Sequence, residues 1–175
     1  WLRWRRCLPM DVANARSLHT GAVPRIGGAA MAVGGVVVLV GVEWAPTSWP
    51  LLILLWVAGG LCLFSMIDDW MSLPVLPRLA GHLVAAVIAV AVLDVSPFLA
   101  VLLALTLAWM TNLYNFMDGA DGLAGSMALV GFLAYGLAAM ATHPQLGLVC
   151  FVLAALATGF LGFNLPAAKV FMGDA

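Results

Sequence analysis

The stretch NLYNFMDGADGLAG, residues 112–125, sets Asn112, Asn115, Asp118 and Asp121 at every third position in a chain that is otherwise 65% hydrophobic. Two further groups share its chemistry. SMIDDWMSLPVLPR carries the adjacent pair Asp68 and Asp69 and then Arg78, and NLPAAKVFMGDA carries Lys169 and Asp174. Neighbouring carboxylates repel and lose hydration at a membrane edge, so they need a cation. Hard oxygen donors with no adjacent His or Cys favour Mg²⁺ or Mn²⁺, and Mg²⁺ typically combines one or two carboxylates with substrate phosphates. The glycines at 119 and 122 break helical regularity and let backbone approach a ligand closely. A metal-assisted site for a phosphorylated substrate is the chemistry these residues imply.

Everything around them is built for lipid. With 9% charged residues and a mean hydropathy of +1.11, the chain lies far from soluble domains, in which charged residues make up about a quarter. A bilayer crossing takes about 20 apolar residues. Six segments approach that length, near 27–43, 49–67, 79–94, 97–112, 122–141 and 145–163, so an all-α, polytopic transmembrane helix bundle forming one membrane domain is expected. A net charge of −1 offers no bulk attraction to nucleic acid, and none is expected as a partner.

Counting connections sorts the charges by side. Arg3, Arg5, Arg6, Arg16, Arg25, Arg78 and Lys169 all fall on one face, whereas EWAPTS, DVSP and THP on the other contain no Lys or Arg. The excess of Lys and Arg on one side makes that face cytoplasmic. The same parity places Asp68, Asp69, Asp118, Asp121 and Asp174 there too. Singly, acidic residues at a membrane edge are solvated caps, which is the reading of Asp11, Glu43 and Asp94. A calcium loop starting at Asp118 is excluded because its twelfth position is Leu129 and not Glu. Cys7, Cys62 and Cys150 are scattered and read as small apolar fillers, and His19, His82 and His143 are not at metal-ligand spacing. It is the joint placement of the three acidic groups on one face that marks a site.

With these motifs in hand, the chain resembles the polyprenyl-phosphate N-acetylhexosamine-1-phosphate transferases. NLYNFMDGADGLAG resembles their N-x-x-N-x-x-D-G-x-D-G-L-A signature, IDDW their Asp-Asp pair, NARSLHTGAVPRIGG their S-x-H-x-x-x-T-P-R-x-G-G loop, and NLPAAKVFMGDA their F-N-x-P-x-A-K-x-F-M-G-D-x-G-S block. The four motifs occur in the family's order across residues 14–175. DVANARSLH and MDGADGLAG look most like bacterial enzymes that start O-antigen or capsule units. Val23 stands where Thr is common, Ile26 where Gly is common, and Arg78 where many members have Lys.

The resemblance implies an enzyme that moves a sugar 1-phosphate from a UDP-N-acetyl sugar to undecaprenyl phosphate and releases UMP, at the cytoplasmic face of a bacterial inner membrane, with Mg²⁺ (or Mn²⁺) as cofactor and a homodimer as an assembly to test. It implies Asp174 as a direct metal ligand supported by Asp68 and Asp69, and catalytic roles for these three with Asp118. It further implies substrate contacts from Asn112, Asn115, Asp121, Gly122 and Leu123, with Asp121 reaching the uracil and Phe171 stacking on it. His19, Arg25, Arg78 and Lys169 would serve anionic groups. Family members have roughly ten or eleven spans, so the six here are expected to be a fragment of a longer bundle. The rival from another class is an ion-coupled membrane transporter, since intramembrane Asp and Asn beside Gly-broken helices also mark transport. One-sided carboxylates and the lack of a visible internal repeat speak against it.

Overall fold

The computed structural model describes residues 8–12, 21–41 and 48–173. A short antiparallel hairpin, β1 (Met10–Val12) with β2 (Ala22–Pro24), precedes six helices: α1 (Gly27–Gly41), α2 (Trp49–Met71), α3 (Val75–Ala91), α4 (Pro97–Met117), α5 (Leu123–Ala139) and α6 (Pro144–Asn164). The chain is therefore an all-α membrane bundle with one small hairpin added, whose three-residue strands are too short for an alternation pattern to reveal.

Local chemistry accounts for the helix starts. Pro50, Pro97 and Pro144 occupy first-turn positions, where a missing N–H costs nothing. The Ser96 hydroxyl accepts from the Leu99 N–H at 3.4 Å and caps α4. α2, α4 and α6 contain 23, 21 and 21 residues, long and apolar enough to cross a membrane at about 1.5 Å per residue. α1, α3 and α5 are shorter apolar helices.

Helix ends depart from the apolar runs that announce them. α2 continues to Met71, so Asp68 and Asp69 lie inside its last turns. α4 continues to Met117, so Asn112 and Asn115 are helical and Asp118 is its C-terminal cap, not part of a loop starting at 112. α3 begins at Val75, which puts Arg78 in its first turn. Backbone hydrogen bonding carries on past the point where side chains turn polar, because only the hydrocarbon core demands apolar residues.

Each helix packs on its sequence neighbours, and α1 packs on α6, which closes the six into an annulus. The seams are made of small residues. Ala86 and Val90 of α3 meet Ala104 and Ala108 of α4. Gly136 of α5 lies where a Cβ would stand 2.7 Å from the Phe151 ring of α6, and Gly147 of α6 approaches the Gly136 carbonyl. Apolar solvation does not drive helices together in lipid, so close approach through small residues supplies the packing. Many large apolar side chains, Trp56, Phe98, Trp109, Phe116 and Leu137 among them, point outward. α4 and α5 touch the least of all sequential neighbours.

Candidate active site

Asp68 and Asp69 are consecutive on a helix and so diverge by about 100°. Both side chains are nearly enclosed, at 4% and 2% exposure. Asp68 faces α3, with Oδ2 3.8 Å from Arg78 Nη1. Its Oδ1 also accepts from the Leu73 N–H at 2.8 Å, while its carbonyl accepts from the Ser72 N–H at 2.7 Å. Ser72 adopts a left-handed conformation, φ 51°, so this one residue both ends α2 and aims the chain into α3. Asp69 faces the hairpin instead, with Oδ1 3.8 Å from Arg25 Nη1. Arg25 in turn donates through Nη2 to Asp11 Oδ1 at 2.7 Å, so Asp11 is an ion-pair partner at the site's edge and not a solvated cap.

The loop after α6 is stitched to this corner from several directions. Asp118 Oδ2 accepts from the Gly173 N–H at 3.0 Å, and Asp121 Oδ2 accepts from the Ala168 N–H at 3.1 Å. Gly173 has φ +81°, and a Cβ there would lie 2.7 Å from Asp69 Oδ2. Asp69 and Asp118 therefore approach the same glycine from two sides. Asn164 is fully buried: its Oδ1 accepts from the Gly122 N–H and its Nδ2 donates to the Val170 carbonyl, each at 2.9 Å. Gly122, at φ +74°, provides the turn that starts α5. On the hairpin side the Phe171 N–H donates to the Pro24 carbonyl at 3.0 Å, and the Phe171 and Met172 carbonyls accept from the Gly27 and Gly28 N–H groups at 2.9 and 2.8 Å. A Cβ on Gly27 would stand 2.5 Å from the Phe160 ring and 2.9 Å from the Phe171 carbonyl oxygen, so only glycine allows this contact.

Asp68, Asp69, Asp118, Asp121, Gly122, Arg25 and Arg78 thus gather at one end of the annulus. Asn115 joins them along a cavity of about 610 Å³ that Gly173 also lines. Lys169 presents an exposed side chain on the rim, and Leu123 is exposed on the first turn of α5. Asn112 stays on the exposed face of α4, away from the cavity lining. Phe171 departs from the expectation of an open stacking surface: at 2% exposure its ring is enclosed beneath α1, where it fixes the loop. His19 and Asp174 lie outside the described residues, as does Glu43.

Among the described residues, no three His, Cys, Asp or Glu side chains converge on a common metal position. The donor chemistry nevertheless fits a hard divalent cation. Asp69 and Asp118 flank the residue immediately before Asp174, all donors are carboxylate oxygens, and Mg²⁺ needs only one or two of these when phosphates complete its shell.

Sequence reasoning passed over Ser65, weighed His82 only as a metal ligand, and quoted Asn164 and Gly173 within NLPAAKVFMGDA without giving either a role. Ser65 lies one turn before Asp68 and His82 one turn after Arg78, a helical spacing that would have placed both on the site's inner face. Asn164 opens the NLPAAKVFMGDA motif, but its bridging role gives no signal in spacing, since its two partners come from separate loops.

The profile of glycosyl transferase family 4 matches residues 51–175. The chain belongs to glycosyl transferase family 4. The matched stretch contains the Asp68–Asp69 pair, the 112–125 segment and the loop after α6, while the hairpin that supplies Arg25 precedes it. Among similar proteins, a decaprenyl-phosphate N-acetylglucosaminephosphotransferase of Mycolicibacterium smegmatis is 31% identical over 91% of this chain and 47% of its own length. A phospho-N-acetylmuramoyl-pentapeptide-transferase of Staphylococcus epidermidis is 28% identical over 86% of this chain and 57% of its own. One of the same name from a Picosynechococcus species is 45% identical over 64 residues, 37% of this chain and 18% of its own. The chain spans about half the length of the first two.

Proposed function

We propose that this family 4 chain transfers an N-acetylhexosamine 1-phosphate from a UDP-sugar to undecaprenyl phosphate, releasing UMP and starting a cell-envelope glycan such as O-antigen, capsule, teichoic acid or a peptidoglycan precursor. The observation that carries the reading is the meeting of Asp68, Asp69 and Asp118, drawn from two helix ends, with the loop before Asp174 at one end of the annulus. That meeting is flanked by Arg25 and Arg78, the cations an anionic donor and an anionic acceptor both require.

In the proposed reaction an oxygen of the acceptor phosphate attacks the β-phosphorus of the UDP-sugar. The bond from that phosphorus to the bridging oxygen breaks, and UMP leaves with that oxygen. Such transfers depend on positioning and charge stabilisation more than on covalent help. A bound Mg²⁺ (or Mn²⁺) would neutralise the pyrophosphate, held by Asp174 with Asp69 and Asp118 beside it. Asp68 keeps Arg78 turned toward the site, and Arg25, braced by Asp11, does the same from the hairpin. The second pKa of a phosphate monoester is about 6, so the acceptor arrives largely ionised and a general base is dispensable. The one-sided Arg and Lys distribution supports a site facing the cytoplasm of a bacterial inner membrane.

The test is release of radiolabelled UMP from a panel of UDP-N-acetyl sugars by membranes containing the protein, undecaprenyl phosphate and Mg²⁺, beside Asp174→Asn and Asp68→Asn. Metal-dependent release, abolished by a chelator and reduced on the order of 10²–10³-fold in both variants, is expected. No release with any donor from well-folded protein would overturn the proposal and favour ion-coupled transport.

A further inference from the structure

The turn that carries Asp118 and Asp121 joins α4 to α5, the two sequential helices that touch least. Its own backbone bonds run from the Asp118, Ala120 and Leu123 N–H groups to the Tyr114, Met117 and Ala120 carbonyls, at 3.2, 3.2 and 3.1 Å. Each links residues three or four apart, so each shapes the turn locally and none spans it. Asn164 fastens the far end of the turn, at Gly122, to α6, which leaves the distance of α5 from α4 unset.

One side chain sets that distance. Of the three hydroxyls on α4, those of Thr106 and Thr111 donate back into their own helix, to the Leu102 and Leu107 carbonyls at 2.8 and 2.9 Å. The Tyr114 hydroxyl instead donates to the Ala124 carbonyl at 2.5 Å, from the last turn of α4 to the first turn of α5. This bond closes a loop of chain around the whole turn. The Tyr114 ring also packs against the buried cluster of Ala124, Phe160 and Met172, which come from α5, α6 and the final loop. Asp118 lies one helical turn beyond Tyr114 on the same face, and accepts from the Gly173 N–H of that same loop.

We propose that Tyr114 is a positioning residue for the acidic site: its hydroxyl fixes the separation of α4 from α5, and so holds Asp118 and Asp121 in register with the loop after α6. The hydroxyl touches no reacting atom and acts through the two carboxylates, which accept from the Gly173 and Ala168 N–H groups of the loop. The importance of this clamp for turnover rests on the reaction proposed above, whereas the clamp itself is read without turnover.

Tyr114→Phe removes one oxygen and keeps the ring in its cluster. Hydrogen exchange of the protein in nanodiscs, followed by mass spectrometry, is expected to be faster in peptides covering residues 118–126 and unchanged in α3. In the UMP-release assay, kcat is expected to fall about tenfold to a hundredfold at unchanged KM for donor and acceptor, the mark of groups misplaced in the transition state and not of lost binding. Tyr114→para-aminophenylalanine, which returns an N–H donor to the same place, is expected to restore both the exchange and kcat. Thr106→Val, which removes a hydroxyl bonded only within α4, is expected to alter neither. Unaltered exchange at 118–126 in Tyr114→Phe would refute the clamp. A lowered unfolding temperature with kcat per folded molecule intact would show that the hydroxyl serves stability alone, and would overturn the positioning role. Faster exchange at 118–126 in a protein that turns over no UDP-sugar would uphold the clamp and reject the reaction.

Discussion

Asp69 and Asp118 come from different helices yet meet at one glycine, and the amide that holds their neighbourhood in place is Asn164. Its side chain satisfies the Gly122 N–H on one side and the Val170 carbonyl on the other, inside the fold. Asn164→Ala leaves two buried backbone groups without this partner, at about 1–3 kcal/mol each. A lowered unfolding temperature in detergent, with loss of UMP release, is the expected outcome. An unshifted melting curve would mean that water replaces the amide without loss. The carboxylates were legible in the sequence because adjacent or regularly spaced acids are conspicuous in so apolar a chain. The role of Asn164, though the residue opens a quoted motif, was not, because a bridging amide has meaning only once the 118–122 turn and the 165–173 loop have met. The enclosure of Phe171 was equally invisible: a ring beside a functional motif reads the same in sequence whether it faces a ligand or the protein interior.

At the scale of the elements, apolar length located the six helices but not their ends. Asp68, Asp69, Asn112 and Asn115 end hydrophobic runs without ending helices, since capping and turn geometry decide the ends, as at Ser72 and Gly122. Glycines divide along similar lines. Gly27 is fixed by its neighbours, whereas Gly60 of α2 has nothing within 4 Å of a Cβ position. Gly27→Ala is expected to destabilise by about 1–3 kcal/mol through forced displacement of Phe160 and the Phe171 carbonyl. Gly60→Ala is expected to be neutral or stabilising by up to about 1 kcal/mol. Thermal unfolding of the two single variants checks this, and equal shifts would show that the α1 contact relaxes without cost.

For the whole molecule, charge parity supplied a side and the annulus shows how one side becomes a site. Basic residues and carboxylates from the hairpin, α2, α3, α4 and the final loop share one end of the bundle. In a cysteine-free background, Leu76→Cys at the start of α3 is expected to react with a membrane-impermeant maleimide from the cytoplasmic side. Phe98→Cys at the start of α4, at the other end, is expected to react only from the opposite side. Reaction of both from one side would break the assignment. Pairings between helices were beyond the sequence, because small residues line seams such as α3–α4 and α5–α6, and Gly or Ala carries no label for its partner.

The contacts that lock Phe171 to Pro24 and Gly27 join the hairpin and α1 to the loop after α6, segments far apart in sequence, and they bear on biosynthesis. Helices enter a membrane in the order in which they are made, so α1 to α5 are already in place before the loop that completes the site is synthesised. A chain halted after α5 would be inserted and correctly oriented, yet its carboxylates would lack the segment they converge on. Insertion and competence are thus separate events in the life of this protein. The first can precede the second, which waits on the loop that follows α6.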